Sequence, residues 1–90
     1  MSYEIERTTN FRFEFTKLNL RYKRFVEEAI DILKENPTEL PGKITHLANK
    51  KDGGLYRFRV PGCYLIYVVP VLEEEGDIPR VILTGVKVLR

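Results

Sequence analysis

Two arginines two residues apart, Arg57 and Arg59, sit in the run GLYRFRVPGCYLIYVVP. On a β-strand that spacing places both side chains on one face. Guanidinium forks bind phosphoryl oxygens bidentately, so such a face suits a phosphate. If Pro61 and Gly62 connect two paired strands, Val60 lies opposite Cys63, Arg59 opposite Tyr64 and Arg57 opposite Ile66. A phenol would then stand beside the arginines, able to donate a hydrogen bond or exchange a proton, and a nearby aromatic ring could stack on a base. The ordinary alternative is a solvated strand face on which the arginine stems cover Ile66 and Val68. A Pro-Gly pair prefers a type II turn, which fits a two-residue hairpin poorly, so a wider loop is an open alternative.

Charge is uneven along the chain. Residues 1–42 carry seven basic and eight acidic side chains, residues 43–62 five and one, and residues 63–90 three and four. The basic excess consists of Lys43, Lys50, Lys51, Arg57 and Arg59, where an anionic partner, if there is one, would be drawn. Lys87 and Arg90 add cations near the end. The other conspicuous residues have plainer readings. His46, in a polar connection, reads as a surface or turn residue, Cys63 as core, Glu73 to Glu75 as a loop charge run, and Tyr56 and Tyr67 as core edges. One cysteine and one histidine give no recognisable metal-ligand set, and nothing in the sequence calls for a cofactor. Ninety residues make one domain, 1–90, with a single modest core. No apolar run approaches the ~18 residues that span a bilayer, and the charged start MSYEIERTT is unlike a signal peptide, so the expectation is a cytoplasmic protein.

These residues need a sheet to hold them. Tyr3 and Ile5 alternate with Glu4 and Glu6 as in a short strand. Thr8, Thr9 and Asn10 are all able to cap a helix. The next piece, FRFEFTKLNL, fits both periods, because Phe11, Phe13 and Phe15 alternate while Phe11, Phe15 and Leu18 keep helical spacing; helix is the preferred reading. From Leu20 to Asn36, Phe25, Val26, Ala29, Ile30 and Leu33 form an apolar stripe against a charged one, with Asn19 as cap and Pro37 beyond the end. Residues 37–54 read as a turn-rich connection around a short apolar piece, Ile44 to Ala48. Three strand candidates follow: Leu55 to Val60, the almost wholly apolar and therefore central Cys63 to Val69, and Arg80 to Leu89, with Gly85 as a candidate bulge. The expected fold is α+β, a helical hairpin on a small, mostly antiparallel twisted sheet in the order β-α-α-β-β-β. Parity puts Tyr56, Phe58, Val60, Cys63, Leu65 and Tyr67 on the core side and Arg57, Arg59, Tyr64, Ile66 and Val68 on the other.

The segment LYRFRVPGCYLIYVV, with the helix YKRFVEEAIDILKENP before it, resembles the RelE/ParE superfamily of toxins from toxin-antitoxin pairs. The resemblance runs from Tyr3 to about Lys87. It implies a ribosome-dependent mRNA endoribonuclease that inhibits translation and is neutralised by a cognate antitoxin. Arg57 and Arg59 match the two basic positions of the family's second strand, and Lys43, Lys50, Lys51 and Lys87 would serve RNA binding. The family's arginine early in the following strand falls at Tyr64, and its charged tail shortens to Val86 through Arg90, so Lys87 or Arg90 would stand for the late arginine. A toxin-like protein that acts only by binding protein, and a ParE-like inhibitor of DNA gyrase, are the alternatives the same resemblance allows.

Overall fold

A computed structural model describes residues 2–51 and 53–89. The elements run β1 (Glu4–Arg7), α1 (Thr9–Thr16), α2 (Leu20–Leu33), β2 (Ile44–Lys50), β3 (Gly53–Val60), β4 (Cys63–Pro70) and β5 (Arg80–Val88). The two helices start where oxygen-bearing side chains can satisfy their free amides. Thr8 Oγ1 accepts the Phe11 N–H at 3.2 Å, and Asn19 Oδ1 accepts the Tyr22 N–H at 2.9 Å. The ambiguous FRFEF run is helical, because Phe11 and Phe15 can then share a face: Phe11 is buried, Phe15 packs on the core edge and Phe13 is left outside. On α2 the stripe Val26, Ala29, Ile30 and Leu33 is buried as its spacing requires.

The sheet has five strands in the order β1-β5-β4-β3-β2. β1 runs parallel to β5 and the other neighbours are antiparallel. The architecture is the expected α+β one, with one strand more than the sequence suggested. The connection assigned to residues 37–54 contains β2, which pairs with β3 from Ile44 opposite Phe58 to Lys50 opposite Gly53. Its sequence, ITHLANK, carries no alternation that could reveal it, for two reasons. Six of its seven residues are exposed, and a register shift between His46 and Ala48 breaks the period of two at Leu47.

The central hairpin keeps the register expected from parity: Val60 opposite Cys63, Arg59 opposite Tyr64 and Arg57 opposite Ile66. The connection is the tight one. Pro61 and Gly62 alone close it, with Gly62 at φ 82, and the Leu89 N–H donates to the Gly62 carbonyl at 2.9 Å. A side chain at position 62 would be strained and would meet the Tyr22 ring 2.5 Å away.

One sheet face carries the core. Phe58, Val60, Cys63, Leu65 and Tyr67 are buried together with Val81, Leu83 and Val86 of β5. Tyr67 is fully covered, and its hydroxyl donates to the Pro37 carbonyl at 2.7 Å, tying the end of the helical hairpin to the central strand. Burial, with the neighbouring Tyr56 second, pushes the Tyr67 phenol well above its ordinary range, and burial raises the Cys63 thiol.

β1 covers the outer edge of β5 only from Arg80 to Leu83. Beyond that point α1 takes over the edge with side chains. The Thr8 hydroxyl donates to the Leu83 carbonyl (2.8 Å), the Asn10 amide to the Thr84 carbonyl (2.7 Å), and Glu14 Oε1 accepts the Val86 N–H (3.2 Å). An otherwise open edge is thereby satisfied. The register of β5 slips by one residue between Leu83 and Gly85, and the extra Thr84 donates its hydroxyl to the Ile66 carbonyl at 3.0 Å.

Candidate nucleic-acid interface

The face opposite the core is where the arginines stand. Across the strands a row of side chains forms by pairing: Arg59 lies opposite Tyr64, and Tyr64 opposite Lys87. Lys43 extends the row on the other side, since its carbonyl accepts the Arg59 N–H at 2.8 Å. Lys43, Arg59, Tyr64 and Lys87 thus line up over three inter-strand spacings, about 14 Å. A second row behind it holds Thr45, Arg57 and Ile66. Arg57 reaches diagonally from that row and places its guanidinium carbon 5.4 Å from the centroid of the Tyr64 ring. The ring orients the guanidinium plane by cation–π stacking and leaves its N–H edges for an oxyanion. Both arginines are exposed, and among the described residues neither forms a salt bridge.

Lys87 is differently placed. Its ammonium lies 2.5 Å from Glu14 Oε2, while Glu14 Oε1 accepts hydrogen bonds from the Val86 N–H and the Asn10 amide, each at 3.2 Å. Gly85 makes room for this carboxylate, because a Cβ there would lie 2.7 Å from Glu14 Oε1. Sequence reasoning missed Glu14. Nothing marks it in FRFEF except that it is the acidic residue among the phenylalanines, and its neighbour Lys87 is 73 residues away.

The other predicted cations spread out. Lys43 and Arg59 border a depression of about 280 Å³ beside the Pro61–Gly62 turn. Lys50 pairs with Gly53, four residues before Arg57, which puts it about 13 Å along the strand. There it borders a separate depression with Val68, Arg80 and Ile82. Lys51 is exposed in the β2–β3 turn, and Arg90 lies outside the described residues. His46 is exposed in β2 and pairs with Tyr56, so it belongs to the core-side face; its ring stacks on Tyr56 at 4.8 Å and its Nε2 is 3.1 Å from the Ala48 carbonyl oxygen. It therefore points away from the arginines.

The arrangement offers two guanidinium forks and a phenol on one surface, with an ammonium beside them that is already half-compensated by a carboxylate. It suits holding and polarising a phosphodiester more than moving protons, because a guanidinium hardly deprotonates. Among the described residues, no helix is long and apolar enough to cross a membrane.

No protein-family model and no curated protein matches the chain by sequence. Solved structures do match by shape. A chain of the archaeal RelE–RelB complex from Pyrococcus horikoshii superposes with a TM-score of 0.79 at 21% identity, over 98% of this chain and 96% of that one. A chain of the toxin-antitoxin complex RelBE2 from Mycobacterium tuberculosis does so with a TM-score of 0.72, also at 21% identity, over 99% of this chain and 100% of that one. Strand order, helical hairpin and near-complete coverage agree with what LYRFRVPGCYLIYVV implied: the chain has the RelE-like fold.

Proposed function

We propose that the chain is the toxin of a toxin-antitoxin pair, a RelE-like endoribonuclease that cuts mRNA on the ribosome and is held inactive by a cognate antitoxin. The observation that carries this reading is the exposed pair Arg57 and Arg59 on the open sheet face, with Tyr64 directly across from Arg59 and the guanidinium of Arg57 over its ring. In such a reaction the ribose 2′-OH attacks the adjacent phosphate. The site must steady the dianionic phosphorane, receive the proton of the nucleophile and supply one to the leaving 5′ oxygen. Arg57 and Arg59 serve the first task. Tyr64, across from Arg59 and with the Arg57 guanidinium over its ring, serves as the hydrogen-bond donor to the leaving oxygen. The proton of the 2′-OH passes to solvent water and the leaving 5′ oxygen takes one up from water, while orientation on the ribosome supplies the rest, as expected for a site poor in bases.

The test is expression of the chain alone, beside an Arg57→Ala/Arg59→Ala variant. Growth arrest with ribosome-dependent cuts in mRNA is expected for the first and loss of both for the second; equal harmlessness of the two proteins would sink the proposal. A second reading, a toxin-like protein that binds without cutting, is favoured by two observations. Tyr64 stands where the family pattern has arginine, and Lys87 is tied to Glu14. Losing one donor to a developing anion costs about 10² to 10³ in rate. Under this second reading Tyr64→Arg restores cleavage by that order. Under the first it lowers the rate, because the Arg57 platform and the phenol are lost together.

A further inference from the structure

We infer that the groove between α1 and the end of β5 is a subsite for one unpaired nucleobase of a bound RNA strand, with the Phe13 ring as its stacking platform. This rests on the proposal that RNA is the partner of the arginine face. The groove, of about 490 Å³, is rimmed by Asn10, Phe13, Glu14, Lys17, Lys87 and Val88 over a floor of buried side chains.

Three observations converge on it. Phe13 is 60% exposed on a helix whose other two phenylalanines pack inward, so the core does not account for it. Lys17, one turn along, holds its ammonium over one face of the Phe13 ring, 4.0 Å from the centroid, so the base of a stacked nucleotide takes the other face and finds a cation nearby for its phosphate. Lys87 lines this groove and also ends the row of Lys43, Arg59 and Tyr64, so a strand laid across the sheet along that row arrives at Phe13. Flat aromatic rings next to backbone-tracking cations are how proteins hold single strands. A docked protein helix would instead need several apolar anchors at successive turns. Here only Phe13 and Val88 offer exposed apolar surface, among three charged groups on the rim.

The chain has no tryptophan, so Phe13→Trp introduces one indole at an exposed position where folding is undisturbed. Titration with a single-stranded oligoribonucleotide is expected to quench its emission saturably, and an abasic strand of equal length is expected to leave it unchanged. Phe13→Ala is expected to weaken the oligoribonucleotide about 5- to 150-fold, the range for one lost base–aromatic stack, and to leave the abasic strand's binding as it was. Arg57→Ala/Arg59→Ala weakens both strands. Equal effects of Phe13→Ala on the two strands, or none, with the arginine effect intact, would overturn the base subsite while leaving the RNA reading in place. Failure of the unaltered protein to bind either strand overturns both.

Discussion

Glu14→Gln separates what the carboxylate does for the fold from what it would do to an anion on the arginine face. Glutamine keeps an oxygen for the Val86 N–H and the Asn10 amide, so α1 stays fastened to the β5 edge. The charge opposite Lys87 is lost, together with the oxygen that accepts its ammonium. The two side chains are 21% and 50% exposed, and a pair so placed stabilises the fold by at most ~1 kcal/mol. The effect on RNA has the opposite sign and is larger. Tyr64 is directly across from Lys87, so a phosphate over that row sits one to two inter-strand spacings, about 5–10 Å, from the carboxylate. At ~8 Å the repulsion is about 0.5 kcal/mol in bulk-water dielectric and about 2 kcal/mol at an effective ε of ~20. Removing it tightens binding roughly 2- to 30-fold, and the released Lys87 steepens the dependence of log K on log salt by about 0.7. Fluorescence anisotropy of a labelled single-stranded oligoribonucleotide at several salt concentrations, with thermal unfolding alongside, measures both quantities. Weaker or unchanged binding by a Glu14→Gln protein that unfolds within a few degrees of the unaltered one would refute the placement of the anion beside Lys87.

Gly62→Ala places a Cβ at φ 82 and 2.5 Å from the Tyr22 ring, so urea denaturation is expected to show a loss of at least ~1–2 kcal/mol, partly recovered when Tyr22 is also cut to alanine. Without that recovery the close contact with Tyr22 is not the cause. Stability should also fall on the alkaline side. Burial raises the Cys63 thiol and the Tyr67 phenol, so as pH rises the unfolded chain releases these protons first. Their contribution is intact below the unfolded thiol's value of ~8.5, declines above it and declines more steeply past ~10. Urea midpoints at neutral and alkaline pH measure this. Tyr67→Phe should lower the neutral midpoint by the equivalent of ~1–3 kcal/mol, because the Pro37 carbonyl loses its donor, and should flatten the alkaline decline. A midpoint that rises with pH contradicts the assignment.

The sequence made the sheet's two faces legible because the β3–β4 hairpin obeys the simplest rule available. Period-two alternation from Tyr56 to Tyr67, across a two-residue turn, sorted every side chain correctly and placed Arg59 beside Tyr64. Helical periodicity likewise found α2 and its Asn19 cap. Two things were not legible, for different physical reasons. β2 is held by backbone pairing along an exposed edge and broken by a register shift, so no side-chain period records it. Glu14 reaches the site through α1 covering the β5 edge, and a contact between residues so distant in sequence leaves no local pattern. Phe13 was visible as a residue but not as a surface; only the helix reading of FRFEF makes it the phenylalanine that the core rejects.

Tyr64 changes meaning once its neighbours are known. As a departure from a family pattern it counts as a missing charge. In the folded chain it is the floor under Arg57, the cross-strand partner of Arg59 and the cross-strand partner of Lys87. An arginine there would set a fourth cation within about 5 Å of its cross-strand partners Arg59 and Lys87. Like charges so opposed are destabilising, and the Glu14 carboxylate answers only one of them. Tyrosine at this position therefore trades a positive charge for a fixed orientation of Arg57. Under the proposed function this face would hold a phosphate by geometry with fewer charges, and Glu14 would set how strongly the last of them, Lys87, takes part.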